Sequence, residues 1–158
     1  MNARLPQPLP PLDASALQAH VDTAWAHRIV PELVRYIEVP AKSPMFDPDW
    51  AANGLLERVL QSAADWVCAQ QVEGLALEIV RLNDAHGVPR TPVLFFEVPA
   101  TKTGSTETVL MYGHLDKQPE FTGWRSDLGP WTPKYEDGKL FGRGGADDGY
   151  AVYASVAA

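Results

Sequence analysis

The chain has 158 residues, 46% of them hydrophobic and 21% charged, with a formal net charge of −7. This composition is typical of a globular protein and excludes an intrinsically disordered one, while the acidic balance and the lack of a Lys and Arg cluster exclude nucleic acid as the expected partner. No apolar run approaches membrane-spanning length and the Pro-rich N-terminus lacks a signal-peptide core, so we expect a cytoplasmic protein.

The first part of the chain predicts an arm followed by helix. Residues 1–12 are rich in proline and predict an extended arm, and we treat residues 13–158 as one structural unit. Asp13 or Ser15 can cap the first helix. Pro31 lacks an amide N–H, so we expect the helix to kink or restart there.

The second helix is predicted to follow Asp47 and to continue to Val67, because its apolar residues recur with a 3.6-residue period. Gly54 lies inside this pattern and costs the helix about 1 kcal/mol relative to alanine. The single cysteine, Cys68, falls on the apolar stripe, so we expect it to be packed and assign it no role.

Strands are predicted after these helices, at about residues 75–82, 91–98 and 108–113, with a hairpin at 134–141. The second strand is too apolar for an exposed face. A last helix is expected to begin near Asp148. The predicted fold class is therefore α/β, with a central sheet flanked by helices.

The third predicted strand leads into a His and an Asp that are two residues apart. His114 and Asp116 follow Gly113, and residues two apart on extended backbone point the same way. The Asp116 carboxylate can then accept the second N–H of the His114 ring and fix which nitrogen faces a metal. Such a pair alone is weak support, because His and Asp fall two apart by chance.

A glycine-rich stretch later in the chain carries two adjacent carboxylates. Asp147 and Asp148 follow Gly142-Arg143-Gly144-Gly145-Ala146, and an ordinary turn rarely needs so many glycines. A His ligand with carboxylate ligands suits Zn, Mn or Co, and one carboxylate can bridge two such ions. We therefore predict that His114 and Asp147 reach one metal ion, with their metal-facing atoms about 3–4 Å apart.

Both motifs resemble those of the co-catalytic zinc exopeptidases, which include carnosinase-like dipeptidases, glutamate carboxypeptidase, aminoacylase and succinyl-diaminopimelate desuccinylase. The resemblance rests on Gly113-His114-Leu115-Asp116 with Gln118-Pro119, and on the run from Asp137 to Gly144 with Ala146-Asp147-Asp148. It implies that residues 13–158 are the N-terminal portion of a longer catalytic domain.

The resemblance also implies roles for three residues. His114 would bind one of two divalent ions, zinc with Mn or Co as the alternatives. Asp147 would bridge both ions, and Asp116 would act as a catalytic residue by orienting His114. It implies a cis peptide between Asp147 and Asp148. The general base and the other ligands would lie beyond residue 158, so the isolated chain is expected to be inactive.

Two further functions remain open at this point. The same metal centre would serve an N-acyl-amino-acid deacylase as well as a dipeptidase or carboxypeptidase-like enzyme. A non-catalytic metal-binding or structural module is the alternative of another class. The expected partners are a small peptide or an N-acyl amino acid, with no nucleic acid and no membrane, and a homodimeric parent protein is compatible with the resemblance. The other histidines, His20, His27 and His86, are expected to be solvated.

Overall fold

The computed structural model of the chain describes residues 12–101 and 107–158 and contains helices and strands, in agreement with the α/β prediction. The predicted arm falls almost entirely on residues 1–11, which lie outside the described part. In chain order the elements are α1 (Ala14–Ala24), α2 (Val30–Ile37), α3 (Trp50–Asn53), α4 (Leu55–Ala69), β1 (Ala76–Val80), β2 (Val93–Glu97), β3 (Lys134–Glu136), β4 (Lys139–Phe141) and α5 (Tyr150–Ala157). None of the described helices is long and apolar enough to cross a membrane.

The first helical segment begins and restarts where the sequence predicts. The Asp13 carboxylate accepts hydrogen bonds from the backbone N–H groups of Ser15 and Ala16, at 2.9 and 3.1 Å, and so caps α1. A π-helical turn, Trp25–Ile29, joins α1 to α2, and Pro31 lies in the first turn of α2. Proline is tolerated there because the first N–H groups of a helix have no intrahelical partner.

The predicted continuous helix after Asp47 is instead two helices. Gly54 adopts a left-handed backbone conformation with φ +70°, which ends α3 and precedes α4. The prediction for Cys68 is also wrong, because its side chain is exposed. The buried stripe of α4 runs through Leu60, Ala64 and Val67, and a residue one position past Val67 is turned about 100° away from it.

Strands β1 and β2 form an antiparallel pair in which Ala76 lies opposite Glu97 and Val80 opposite Val93. The pair confirms the first two predicted strands, but the expected burial of the second is wrong. Val93 and Phe95 are 54% and 51% exposed, because alternate side chains point to opposite faces and only one face of β2 is partly covered.

The third predicted strand, residues 108–113, is not a strand in the described structure. A strand needs a neighbour that accepts and donates its main-chain hydrogen bonds, and no described strand pairs with this segment. Its apolar side chains are correspondingly exposed: Val109, Leu110, Met111 and Tyr112. The described strands therefore form two separate two-stranded sheets instead of one central sheet.

The second sheet is the predicted hairpin. Strands β3 and β4 pair antiparallel, with Glu136 opposite Lys139. The two residues between them, Asp137 and Gly138, have φ values of +51° and +74°, as a tight two-residue hairpin turn requires. This hairpin returns the chain to the glycine-rich stretch.

The hydrophobic core lies between α2, α4 and α5. Its centre contains the fully buried Ile29 and Ile37, and Tyr153 of α5 packs edge-on against Trp66 of α4 with ring centroids 4.9 Å apart. The remaining buried members of this cluster are Leu33, Tyr36, Val39, Ala41, Leu56 and Val59. The C-terminal end of α2 therefore lies at the centre of the fold.

The glycine-rich segment packs tightly on this end of α2. A Cβ atom added to Gly149 would lie 2.2 Å from a Tyr36 ring carbon, and one added to Gly142 would lie 2.4 Å from Cγ2 of Ile37. No side chain fits at these two positions without displacing its neighbour. The backbone that carries Asp147 can therefore reach the core only because these residues are glycine.

Gly149→Ala tests this close approach. Gly149 has φ −56°, which alanine adopts freely, so the whole effect should come from overpacking against Tyr36. We expect the free energy of unfolding to fall by about 1–3 kcal/mol, measured by urea denaturation. Gly145→Ala is the matched control, because its nearest neighbour would lie 3.3 Å away. Equal midpoints for the two variants would contradict the prediction.

Candidate metal centre

His114 is held by Asp116, as the spacing of the two residues predicts. The Nδ1 atom of His114 lies 3.0 Å from the main-chain oxygen of Asp116 and 3.2 Å from its carboxylate Oδ1. Both are acceptors, so the neutral ring carries its proton on Nδ1 and leaves a lone pair on Nε2. The main-chain oxygen of Asp116 thus shares the orienting role that the sequence assigned to the carboxylate.

Asp147 lies on the other side of the His114 ring. Its Oδ1 is 3.3 Å from Nε2 of His114, which is within the predicted range of about 3–4 Å. The backbone of Asp147 has φ −130° and ψ 88°, so it interrupts the helical turn Gly145–Gly149. The peptide bond between Asp147 and Asp148 is cis, as the resemblance implies.

The facing atoms of His114 and Asp147 have the chemistry of a cation site. With the proton on Nδ1, Nε2 and the carboxylate oxygen are two acceptors 3.3 Å apart with no hydrogen between them. A divalent ion that accepts both lone pairs fits this arrangement, since imidazole and carboxylate are common ligands of Zn²⁺. The Asp147 side chain is 62% exposed, which leaves it accessible to further ligands.

The described residues supply only a part of such a site. In residues 12–101 and 107–158, no group of three or more His, Cys, Asp or Glu side chains could hold a metal ion. The Asp148 carboxylate lies beside the backbone of Gly113, with its Oδ2 3.3 Å from where a Cβ would stand on that residue. The other histidines, His20, His27 and His86, are exposed, as expected.

Tyr36 joins the two motifs, although its sequence context gave no sign of this. Its hydroxyl donates a hydrogen bond to the main-chain oxygen of Leu115, at 3.0 Å, and its ring packs against Gly149. Burial, reinforced by the negative charges of nearby acidic groups, raises the pKa of Tyr36 far above its usual range. The hydroxyl therefore remains a donor at all physiological pH values. Sequence periodicity places Tyr36 on the buried face of α2 but cannot identify its distant partner.

Lys117 is the second residue that sequence reasoning missed. It is fully buried, and its Nζ donates hydrogen bonds to the main-chain oxygens of Tyr36 and Val39, at 2.5 and 2.6 Å. Nζ also lies 3.8 Å from the centroid of the Tyr36 ring. The available signal was its position directly after His114-Leu115-Asp116. That position did not indicate burial, because lysine is rarely buried without a carboxylate partner.

Arg143 fastens the glycine-rich stretch to the first motif. Its Nε donates to the main-chain oxygen of Pro119 at 2.8 Å, and its guanidinium lies 4.3 Å from the centroid of the Phe121 ring. The backbone N–H of Arg143 donates to Pro130 at 2.8 Å. The segment before Asp147 is therefore fixed by main-chain and side-chain contacts alike.

The stability of the chain should depend on pH through Lys117. Burial lowers the pKa of Lys117 to about 7, since main-chain oxygens carry only partial charge. The unfolded chain keeps this proton up to its usual pKa of about 10.4, so unfolding takes up a proton between about pH 7 and 10. The free energy of unfolding should rise there by up to about 1.4 kcal/mol per pH unit relative to Lys117→Met. Parallel stability curves for the two proteins would contradict this.

The part of the chain that contains both motifs matches a family model of peptidases, and a longer part matches curated dipeptidases. Residues 110–158 match the model of Peptidase family M20/M25/M40. The chain is 37% identical over 87 residues to the Beta-Ala-His dipeptidase of Mus musculus, a match that covers 54% of this chain and 17% of the relative. It is 35% identical over 105 residues to the Beta-Ala-His dipeptidase of Homo sapiens, covering 64% of this chain and 20% of the relative.

Solved structures match almost the whole chain. Human carnosine dipeptidase 1 superposes with a TM-score of 0.68 at 27% identity, covering 94% of this chain and 30% of that one. The di-peptidase Dug1p from Saccharomyces cerevisiae superposes with a TM-score of 0.66 at 21% identity, covering 90% of this chain and 31% of that one, a likeness of fold. The chain thus spans about a fifth of the length of the curated relatives it matches.

Proposed function

We propose, since this chain belongs to peptidase family M20/M25/M40, that it forms the His114- and Asp147-bearing part of a metal-dependent hydrolase that cleaves peptide bonds. The observation that carries the proposal is the 3.3 Å approach of Nε2 of His114 to Oδ1 of Asp147, two atoms that are both acceptors when the ring proton is on Nδ1. Without a cation or a second ring proton this approach is repulsive, and a divalent ion makes it favourable.

The metal-binding roles follow from the same atoms. His114 would donate the Nε2 lone pair to one ion, and Asp147, with two carboxylate oxygens, would bridge two ions. Two divalent ions, zinc first and manganese or cobalt next, would polarise the scissile carbonyl and acidify a water molecule. Asp116 keeps the proton of His114 on Nδ1 and thereby keeps Nε2 available.

The remaining residues of this chain hold those ligands in place. Tyr36 fixes the Leu115 carbonyl between His114 and Asp116, and Arg143 fixes the backbone that leads to Asp147. His114 is about one-third exposed, so the ligands face solvent and a substrate could approach them. Because the described residues offer two of the ligands, we expect the chain alone to bind metal weakly and to be inactive.

The finer proposal is that the substrate is a dipeptide. Two relatives are named as Beta-Ala-His dipeptidases, and both solved structures are of dipeptidases. Gln118-Pro119 after the first motif favours the same branch of the family. The residues of this chain do not distinguish one dipeptide side chain from another.

The test is hydrolysis by the protein expressed from its complete coding sequence. The chelated protein is assayed with β-alanyl-histidine, an ordinary α-dipeptide and an N-acetyl amino acid, before and after addition of Zn²⁺, Mn²⁺ or Co²⁺. Metal-restored cleavage of a dipeptide supports the proposal. Cleavage of the N-acetyl amino acid alone would support a deacylase instead. No cleavage of any substrate with any metal would refute the proposal in both forms.

A further inference from the structure

Lys117 is a buried amine without a charged partner. Its side chain is fully buried, and none of the ion pairs among the described residues includes it. Placing an amine in the interior is costly unless its hydrogens are bonded. Two main-chain oxygens and an aromatic ring meet this need, so the side-chain nitrogen is held at one place.

The two oxygens belong to the C-terminal end of α2 and the residues after it. Tyr36 lies in the last turn of α2 and Val39 lies two residues beyond its end. Carbonyls at a helix C-terminus lack intrahelical partners, and a cation there is favoured by the helix dipole. An amine donates to both oxygens whether or not it is protonated, because the neutral form still has two N–H groups.

The main chain of Lys117 is fastened at the same place. Its N–H donates to Ala41 and its carbonyl accepts from Ser43, both at 2.9 Å. The residue that directly follows the stretch from His114 to Asp116 is therefore fixed through its backbone and through its side chain. Because Asp116 is adjacent, any shift of Lys117 moves the group that orients His114.

The aliphatic part of Lys117 also supports the second motif. A Cβ added to Gly144 would lie 2.8 Å from Cγ of Lys117 and 2.9 Å from Cε. Gly144 is three residues before Asp147 and has φ +85°. The glycine-rich turn thus rests directly on the Lys117 side chain.

We propose that Lys117 is a positioning residue that sets the relative placement of His114 and Asp147, by anchoring the first motif to the end of α2 and by supporting Gly144 of the second. This inference rests on the proposed function, in which those two side chains share a metal ion. In this role Lys117 would touch neither the substrate nor the metal. Its effect is transmitted through Asp116 on one side and the glycine-rich turn on the other.

The first test substitutes Lys117→Met, which keeps an unbranched side chain as long as the aliphatic part of lysine and removes the terminal nitrogen. The protein is expressed from its complete coding sequence and freed of metal. The His114 ring is then examined by a proton–nitrogen correlation spectrum at about pH 8, where an ordinary histidine is neutral. We expect a single Nδ1–H tautomer in the unsubstituted protein and a mixture in Lys117→Met. Val67→Ala, which truncates a buried residue of α4 outside both motifs, controls for lost stability.

A second readout is the affinity for Zn²⁺, measured by competition with a chromophoric chelator. Lys117→Met should bind Zn²⁺ about 10–100-fold more weakly, the range found for groups that orient metal ligands, while Val67→Ala should not change affinity. If the unsubstituted protein binds no Zn²⁺, the proposed function fails, and the tautomer measurement still decides the role of Lys117.

A second variant covers the case in which Lys117→Met does not fold. Gly144→Ala disturbs the same contact from the other side, and Gly138→Ala is its matched control, because Gly138 also has a positive φ of +74° but has nothing within 4 Å of the added Cβ. Loss of the single tautomer in Gly144→Ala but not in Gly138→Ala supports the proposal. An unchanged His114 tautomer in Lys117→Met, or in Gly144→Ala if that variant alone folds, overturns it.

Discussion

Replacing His114 with alanine should reduce metal-dependent peptide hydrolysis by more than about 100-fold in the protein expressed from its complete coding sequence. Loss of a group that merely orients a metal ligand costs about 10–100-fold, and loss of a ligand itself should cost more. The reason is that Nε2 of His114 carries the imidazole lone pair that faces Asp147. The measurement is kcat/KM for dipeptide cleavage at saturating Zn²⁺.

A matched control is available in another histidine of the chain. His86 is exposed in the turn between β1 and β2 and lies outside both motifs, so His86→Ala should retain the unsubstituted activity. The two variants differ only in which imidazole is removed. Equal activity of His114→Ala and the unsubstituted protein would remove His114 from the metal centre.

Ile37→Ala should lower the free energy of unfolding by about 2–5 kcal/mol, the largest stability effect that we expect at a residue near the site. Ile37 is fully buried, and its side chain fills the space beside Gly142 and Gly145. Its removal leaves a cavity under the turn that carries Asp147. Urea denaturation measures the loss of stability, and Zn²⁺ competition should show weaker binding in the same variant.

Two further substitutions distinguish a loss of core packing from a displacement of the turn that carries Asp147. Ile37→Val keeps Cγ2, the atom that would lie 2.4 Å from a Cβ on Gly142, and should cost about 0.5–1.5 kcal/mol with metal affinity retained. Ile29→Ala removes an equally buried residue from the turn between α1 and α2 and should lose stability without a change in affinity. A change in Zn²⁺ affinity in Ile29→Ala as large as in Ile37→Ala would contradict this account.

The contact between His114 and Asp116 was predictable because its geometry is local. His114 and Asp116 are two residues apart on a short segment, so their spacing alone indicates which ring nitrogen is held. Asp147 was predictable as a candidate because the glycines that precede it, Gly142, Gly144 and Gly145, indicate backbone angles that other residues rarely adopt. The hairpin at 134–141 was predictable for the same reason, since Asp137-Gly138 determines its turn.

Features that depend on distant partners were not predictable. Residues 108–113 have the composition of a strand, but pairing requires a neighbouring strand that no pattern within the segment reveals. Tyr36 and Lys117 meet across about eighty positions of sequence, and hydrophobic periodicity says nothing about such a contact. Cys68 was misplaced because an apolar stripe has an edge, and a residue at the edge can face solvent.

The central claim is that His114 and Asp147 bind the same metal ion, and anomalous diffraction at the zinc edge tests it most directly. Crystals of the protein expressed from its complete coding sequence are grown with Zn²⁺, and the anomalous difference map is compared with that of His114→Ala. We expect a peak about 2.0–2.2 Å from both Nε2 of His114 and a carboxylate oxygen of Asp147, lost or weakened in the variant. A zinc peak bound by other residues, with neither of these atoms within about 3 Å, would contradict the account.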